Sequence, residues 1–162
     1  MLYNSFIMSV FSYCPIIWMF CAKTMNDKVN YIQKRALQAL YNDFQSNFHE
    51  LLMKGNHLTV HELNKRRLLV EVYRCIHIET PSFLHNMFKP VERNYNLRIN
   101  NILALPQTST LTWGLHSISY RGSRSWNSLP DDIKSSSSVH EFKNSIKCFE
   151  GIQCSCKICI KS

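Results

Sequence analysis

The first 22 residues carry no charged side chain, and this stretch constrains the fold more than any other. A membrane-spanning helix needs roughly 20 predominantly apolar residues, so the segment from Met1 to Ala22 only just reaches that length. Pro15 must kink or break a helix here, because proline lacks a backbone N–H and clashes with the preceding turn. Ser5, Ser9 and Ser12 share one helical face. We therefore predict a helix buried in a protein core, and a membrane anchor through residues 2–21 stays the alternative.

A second, amphipathic helix follows after one short turn. Thr24 and Asp27 have the spacing of a capping box, and Asn42-Asp43 ends the pattern. Between them, apolar residues recur at helical spacing and form one face: Met25, Val29, Ile32, Ala36, Ala39 and Leu40. The two segments together predict an αα-hairpin.

Helix-capping signals and a change in composition divide the rest of the chain into a helical part and a part with short strands. Capping boxes at Thr59–Glu62 and Ser138–Glu141 predict a long middle helix and a final amphipathic helix. The segment 108–120 is rich in β-branched and aromatic residues and predicts one or two short strands. The predicted fold class is mainly α (α+β). We expect a helical bundle lobe at 2–88, a smaller lobe with short strands and a C-terminal helix at 91–149, and a flexible cysteine-rich tail at 150–162.

The charge balance favours an anionic partner. Nineteen lysines and arginines against eleven carboxylates give a net charge of +8, and nucleic acid and acidic membranes are the usual partners of such chains. A basic surface that only keeps the protein soluble is the alternative.

Seven cysteines in a chain without a recognisable signal peptide predict reduced thiols, and hence an intracellular protein, nuclear or cytoplasmic and not secreted. Cys154, Cys156 and Cys159 could reach one zinc ion, with Cys148 or His140 as a fourth ligand. A reduced tail without metal is the favoured alternative, so no metal site is assigned.

Two stretches and one ordered block carry a family resemblance. The stretches are SFIMSVFSYCPIIWMFC and NDKVNYIQKRALQALYND. The block comprises Tyr95–Arg98, Pro106, Thr110, Gly114, Ser117, Tyr120, Gly122, Trp126, Asn127, Leu129, Pro130, Ile133, Lys134, Ser138, Phe142, Lys143, Ile146 and Lys147. In order and spacing they resemble the region after the polymerase palm in reverse transcriptases of non-LTR (LINE-type, jockey-like) retrotransposons.

The resemblance implies a thumb and post-thumb fragment that lacks the catalytic palm. The parent enzyme would use Mg²⁺, held by several converging carboxylates. Here Tyr41-Asn42-Asp43 lacks the second aspartate of the family's Tyr-x-Asp-Asp turn, so we expect no polymerase activity and no cofactor in this chain alone. The implied partners are an RNA–DNA or DNA duplex, bound without regard to sequence, and the missing palm, but no membrane.

The basic residues off the apolar faces are the candidate phosphate contacts. Tyr120, close to Arg121 and Arg124 in the sequence, could add stacking on a base or sugar. A solvated turn in which these arginines have a structural role is the alternative. The full candidate set is Lys28, Lys34, Arg35, Lys65, Arg66, Arg67, Arg121 and Arg124. From another class, a stand-alone basic module that binds a protein partner is the alternative function.

Overall fold

The computed structural model describes residues 3–20, 23–77, 80–91, 101–110, 114–149 and 151–152. The described chain is mainly helical, which confirms the predicted fold class. Its residues form two compact groups, one reaching to Asn64 and including Ile152, the other running from Lys65 to Gly151. We call them unit 1 and unit 2. The predicted domain ranges of 2–88, 91–149 and 150–162 stay a prediction.

Proline divides the uncharged N-terminal segment as expected. A π-helix, Tyr3–Met8, continues into α1 (Ser9–Phe11), and α2 (Pro15–Trp18) begins with the proline itself. Cys14 between them has a φ of 43°, a left-handed conformation that non-glycine residues seldom adopt. The break at Pro15 is therefore confirmed.

The same segment is only partly buried. Tyr3 is buried, and Ile7 and Met8 pack against the unit 1 core. Four large side chains are instead 67 to 79% exposed: Phe6, Val10, Tyr13 and Ile17. The prediction of a core helix is therefore wrong for these four positions. None of the described helices is both long enough and apolar enough to cross a membrane.

Helix α3 (Lys23–Tyr41) ends where the sequence predicts. Asn42 has a φ of 49°, the left-handed conformation that commonly follows a helix. The backbone N–H of Asp43 donates to the carbonyl of Gln38 at 3.0 Å, which satisfies one of the last carbonyls of the helix. The Asp43 carboxylate also accepts from the Lys54 ammonium and from Ser46, and these contacts lower its pKa.

The buried face of α3 is largely polar. Asn30 and Gln33 are fully buried, beside Leu37. The Gln33 carboxamide donates to the carbonyl of Leu58 at 2.9 Å and to the Tyr3 hydroxyl at 3.2 Å, and it accepts from the N–H of Val60 at 3.0 Å. One amide side chain therefore joins three segments of unit 1.

Two capped helices complete unit 1. Asn47 and Glu50 form a reciprocal capping box at the start of α4 (Phe48–Lys54). The predicted box at Thr59 and Glu62 is confirmed: it opens α5 (Val60–Ile76), whose later residues belong to unit 2. The buried core of unit 1 contains Tyr3, Leu37, Phe48, Leu51 and Leu52.

Unit 2 is built around an aromatic cluster. The rings of Tyr73 and Phe142 stack with centroids 4.3 Å apart, and Trp126 lies 5.7 Å from Phe142. The helices of this unit after α5 are α6 (Ser82–His85), α7 (Ile118–Asn127), α8 (Asp131–Lys134) and α9 (Val139–Cys148). Ser138 caps α9, because its hydroxyl accepts from the N–H of Glu141, as predicted.

A segment without helix or strand is fixed to α7 by side chains. Leu103 forms an antiparallel bridge with Pro90. The Asn127 carboxamide accepts from the N–H of Leu103 and donates to its carbonyl, both at 2.9 Å. The Trp126 indole donates to the carbonyl of Asn101 at 2.9 Å.

The strand prediction fails at Ile118 and Tyr120, which lie in α7. Ser117 caps this helix, since its hydroxyl accepts from the N–H of Tyr120. The Ser117 cap and the burial of Trp126 on the same helix outweigh the β propensity of the two residues, which depends strongly on context. The segment 108–110 contains no strand either, and 111–113 lie outside the described residues.

Candidate nucleic-acid interface

The net positive charge is larger in unit 2 than in unit 1. Residues 65–151 contain twelve lysines and arginines against seven carboxylates, whereas residues 1–64 and 152–162 together contain seven against four. An interface for a polyanion is therefore better supported on unit 2 than on unit 1.

On α3 the three candidate residues do not form one group. Lys28 and Arg35 are both exposed and lie seven positions apart, about two turns along the same side. Lys34 is half-buried and, as the neighbour of Arg35, points about 100° away around the helix. Only Lys28 and Arg35 can therefore contact one surface.

The basic triplet on α5 is also divided by the helix. Lys65, Arg66 and Arg67 are consecutive and half-buried, and consecutive helical residues do not face the same way. The Nε of Arg66 is buried and has no hydrogen-bond partner among the described residues. The triplet therefore does not make the single basic strip that its sequence suggests.

Arg121 has a structural task. Its Nε donates to the carbonyl of Leu115 at 3.0 Å, and one terminal nitrogen lies 3.3 Å from Nδ1 of His116. These contacts fix the loop before α7 and occupy two of the five guanidinium N–H donors. Arg124, one turn later, is exposed and is the better placed of the two candidates.

Two further cations were missed by the sequence analysis as site residues. Lys143 and Lys147 lie four positions apart on α9, and both are exposed. Phe142 and Ile146 precede them and form the buried face, so the two lysines occupy the same flank of the helix. The four-residue spacing of Phe142 and Ile146 could have identified them, because it marks the buried face of α9 and so places Lys143 and Lys147 outside that face.

No metal site is found in the described part of the chain, and the buried thiol there is not activated. No group of three or more histidine, cysteine or acidic side chains is placed there to hold a metal ion. Cys75 is buried, and burial raises the pKa of its thiol because the thiolate loses hydration. The zinc candidates Cys154, Cys156 and Cys159 lie outside the described residues.

Comparisons with known proteins do not assign the chain to a family. Protein-family models, curated proteins and solved structures were all compared with it, and none of them matches.

Proposed function

We propose that the chain is the thumb and post-thumb region of a non-LTR retrotransposon reverse transcriptase, and that it binds template–primer duplex without catalysing polymerisation. The ordered set of residues between 95 and 147 carries this proposal. Its site of action would be intracellular, nuclear or cytoplasmic. The parent polymerase would supply the palm and its Mg²⁺.

The contacts within unit 2 support the proposal by giving the shared residues one structural role. Trp126 and Phe142 belong to the aromatic cluster, Asn127 fixes the backbone at Leu103, and Gly122 lies closely against Phe88. The block contains no catalytic groups, so packing and hydrogen bonding of this kind would account for its order and spacing.

The proposed binding of a duplex is electrostatic and does not depend on base sequence. Exposed Arg124, Lys143 and Lys147 provide three cations on unit 2, and each phosphate contact releases condensed counterions from the duplex. Binding should therefore weaken as salt rises and should not depend on base sequence.

The test measures binding of a labelled RNA–DNA hybrid by fluorescence anisotropy over a range of salt concentrations. Replacing Arg124, Lys143 and Lys147 by alanine should flatten the slope of log K against log salt by about 2 to 3 units. Asn4→Glu, Gln45→Glu and His49→Glu together lower the net charge equally at exposed sites of unit 1.

That matched variant should keep the slope of the wild-type protein. An unchanged affinity and slope in the alanine variant, or an equal loss in both variants, would remove this surface from the proposal.

The origin of the chain has its own test. The nucleotide sequence upstream of the Met1 codon should encode a palm, intact or decayed, with a Tyr-x-Asp-Asp turn.

A further inference from the structure

Helix α3 presents an apolar face to the outside of the protein. Met25 and Ile32 are each 51% exposed and Leu40 is 43% exposed. Ala39 is also exposed, while Val29 and Ala36 are half-buried and border this face on its inward side, where Ala36 packs against the unit 1 core. These six residues form what we call the apolar strip, which runs about 22 Å along the helix.

The orientation of α3 keeps the apolar strip outside. Gln33 makes its three hydrogen bonds on the inward side, and Leu37 belongs to the unit 1 core. Turning the helix to bury Ile32 would require a rotation of about 100°, which would break all three bonds. The strip is thus a fixed property of the fold.

The spacing of the strip matches the seam of two packed helices. Met25, Val29, Ile32, Ala36 and Ala39 follow one another at intervals of four, three, four and three residues. That alternation is the a/d pattern of a coiled-coil seam, which is narrower than the apolar face of a helix lying in a membrane surface. The small, exposed side chain of Ala39 also allows close approach of a second helix.

The charges beside the strip define the partner further. Lys28 and Arg35 each precede an a-type position, so both occupy the g-type edge. Both are exposed, and neither forms an ion pair with a carboxylate in the described part of the chain. The other edge contains the buried Gln33 and offers no charge.

A second copy of the chain does not complement this arrangement. In an antiparallel pair the two g-type edges face each other, which would bring Lys28 of one copy towards Arg35 of the other. In a parallel pair the g-type edge faces the partner's e-type edge, where Gln33 is buried in its own unit. Charge complementarity instead requires carboxylates on the approaching helix.

We propose that the apolar strip is a docking site for one helix of another protein, whose own apolar seam is flanked by glutamate or aspartate facing Lys28 and Arg35. The proposal does not depend on duplex binding, because that function is placed on unit 2. Docking uses the outward face of α3 and requires no rearrangement of unit 1.

The probes are two synthetic helical peptides of about three heptads with leucine at both seam positions. One carries glutamate along both edges, and the other carries lysine at the same positions. Binding to the full chain is measured by fluorescence anisotropy. The wild-type protein should bind the glutamate peptide about 10-fold or more tightly than the lysine peptide.

Charge reversal provides the decisive comparison. Lys28→Glu with Arg35→Glu should invert the preference, so that the lysine peptide binds more tightly. Lys89→Glu with Asn86→Glu and Asn144→Glu makes the same change in net charge at exposed sites of unit 2 and should leave the preference for the glutamate peptide unchanged. Ile32→Asp should abolish binding of both peptides, with its helical circular dichroism retained because Ile32 is exposed.

Three results would overturn the proposal. Equal binding of both peptides, or a preference that the charge reversal fails to invert, would show non-specific hydrophobic binding that Lys28 and Arg35 do not direct. Binding to phosphatidylserine vesicles that Ile32→Asp abolishes, with no peptide preference, would assign the strip to a lipid surface. A dimer that Ile32→Asp converts to a monomer, again without peptide preference, would assign it to a second copy.

Discussion

Exchanging the chemistry of two neighbouring residues on α3 tests the orientation of this helix directly. The apolar period of the sequence places Ile32 on the inward face, whereas in the structure Gln33 is fully buried and Ile32 is half exposed. Gln33→Leu and Ile32→Gln therefore have opposite expected effects under the two arrangements. Glutamine, leucine and isoleucine differ little in helix propensity, so packing and hydrogen bonding decide the outcome.

The magnitude follows from the groups that lose a partner. Gln33→Leu leaves the N–H of Val60 and the carbonyl of Leu58 without their hydrogen bonds, and each such buried group costs about 1–3 kcal/mol. Burial of the leucine side chain offsets about 1–2 kcal/mol of this. We expect a net loss of about 2–3 kcal/mol in the free energy of unfolding. Ile32→Gln should change it by less than about 0.5 kcal/mol, as is usual at an exposed site.

Urea unfolding followed by far-ultraviolet circular dichroism measures both variants. With a slope of about 1–3 kcal/mol per molar urea, Gln33→Leu should lower the midpoint by about 1 M, and Ile32→Gln should leave it almost unchanged. A larger loss for Ile32→Gln than for Gln33→Leu would refute the reasoning, because it would mean that the apolar strip is buried.

Two further variants test the packing of each unit. Burial lowers the pKa of His57 below its ordinary 6.5, so the unfolded chain binds more protons and the free energy of unfolding falls as the pH drops below about 6.5. His57→Gln should therefore make the urea midpoint depend less on pH between about pH 7 and pH 5. A Cβ at Gly122 would lie 2.7 Å from Phe88 and 3.0 Å from Val72, so Gly122→Ala should cost about 1–2 kcal/mol despite its gain in helix propensity. Ser125→Ala on the same helix is the control, and an equal midpoint for the two alanine variants would contradict the close packing.

Local chemistry made several helix boundaries predictable. Pro15 cannot continue a helix, Asn42 tolerates a left-handed conformation after one, and the side chains of Thr59 and Glu62 satisfy the free N–H groups at the start of α5. Each of these effects acts within a few residues, so the sequence contains all the information needed.

The apolar period of α3 was recognised correctly, but the side it faces was not. Periodicity identifies a face without stating what covers it, and the inward face is set by hydrogen bonds from Gln33 to Leu58 and Val60. Partners 25 and 27 positions away along the chain are not visible in a local pattern. The strand predicted at Ile118 and Tyr120 failed for a related reason, since both lie in a helix that buries Trp126 against the distant Tyr73 and Phe142.

The sequence identifies the basic residues of the candidate site but not which of them face the same way. Adjacent basic residues such as Lys34 and Arg35 count together in a sequence, yet a helix directs them about 100° apart. A structural role for Arg121 was one of two alternatives from the sequence, and its acceptors at Leu115 and His116 are defined only by the fold.

The double hydrogen bond between Asn127 and Leu103 couples a segment outside the helices to the exchange behaviour of α7. The Leu103 amide is bonded to a side-chain carboxamide that is held by its helix, and the neighbouring backbone pairs with residues near Pro90. Its hydrogen can exchange with solvent only when that carboxamide withdraws. Slow exchange would therefore extend beyond the helices, and the segment around Leu103 would open together with α7 as one cooperative unit.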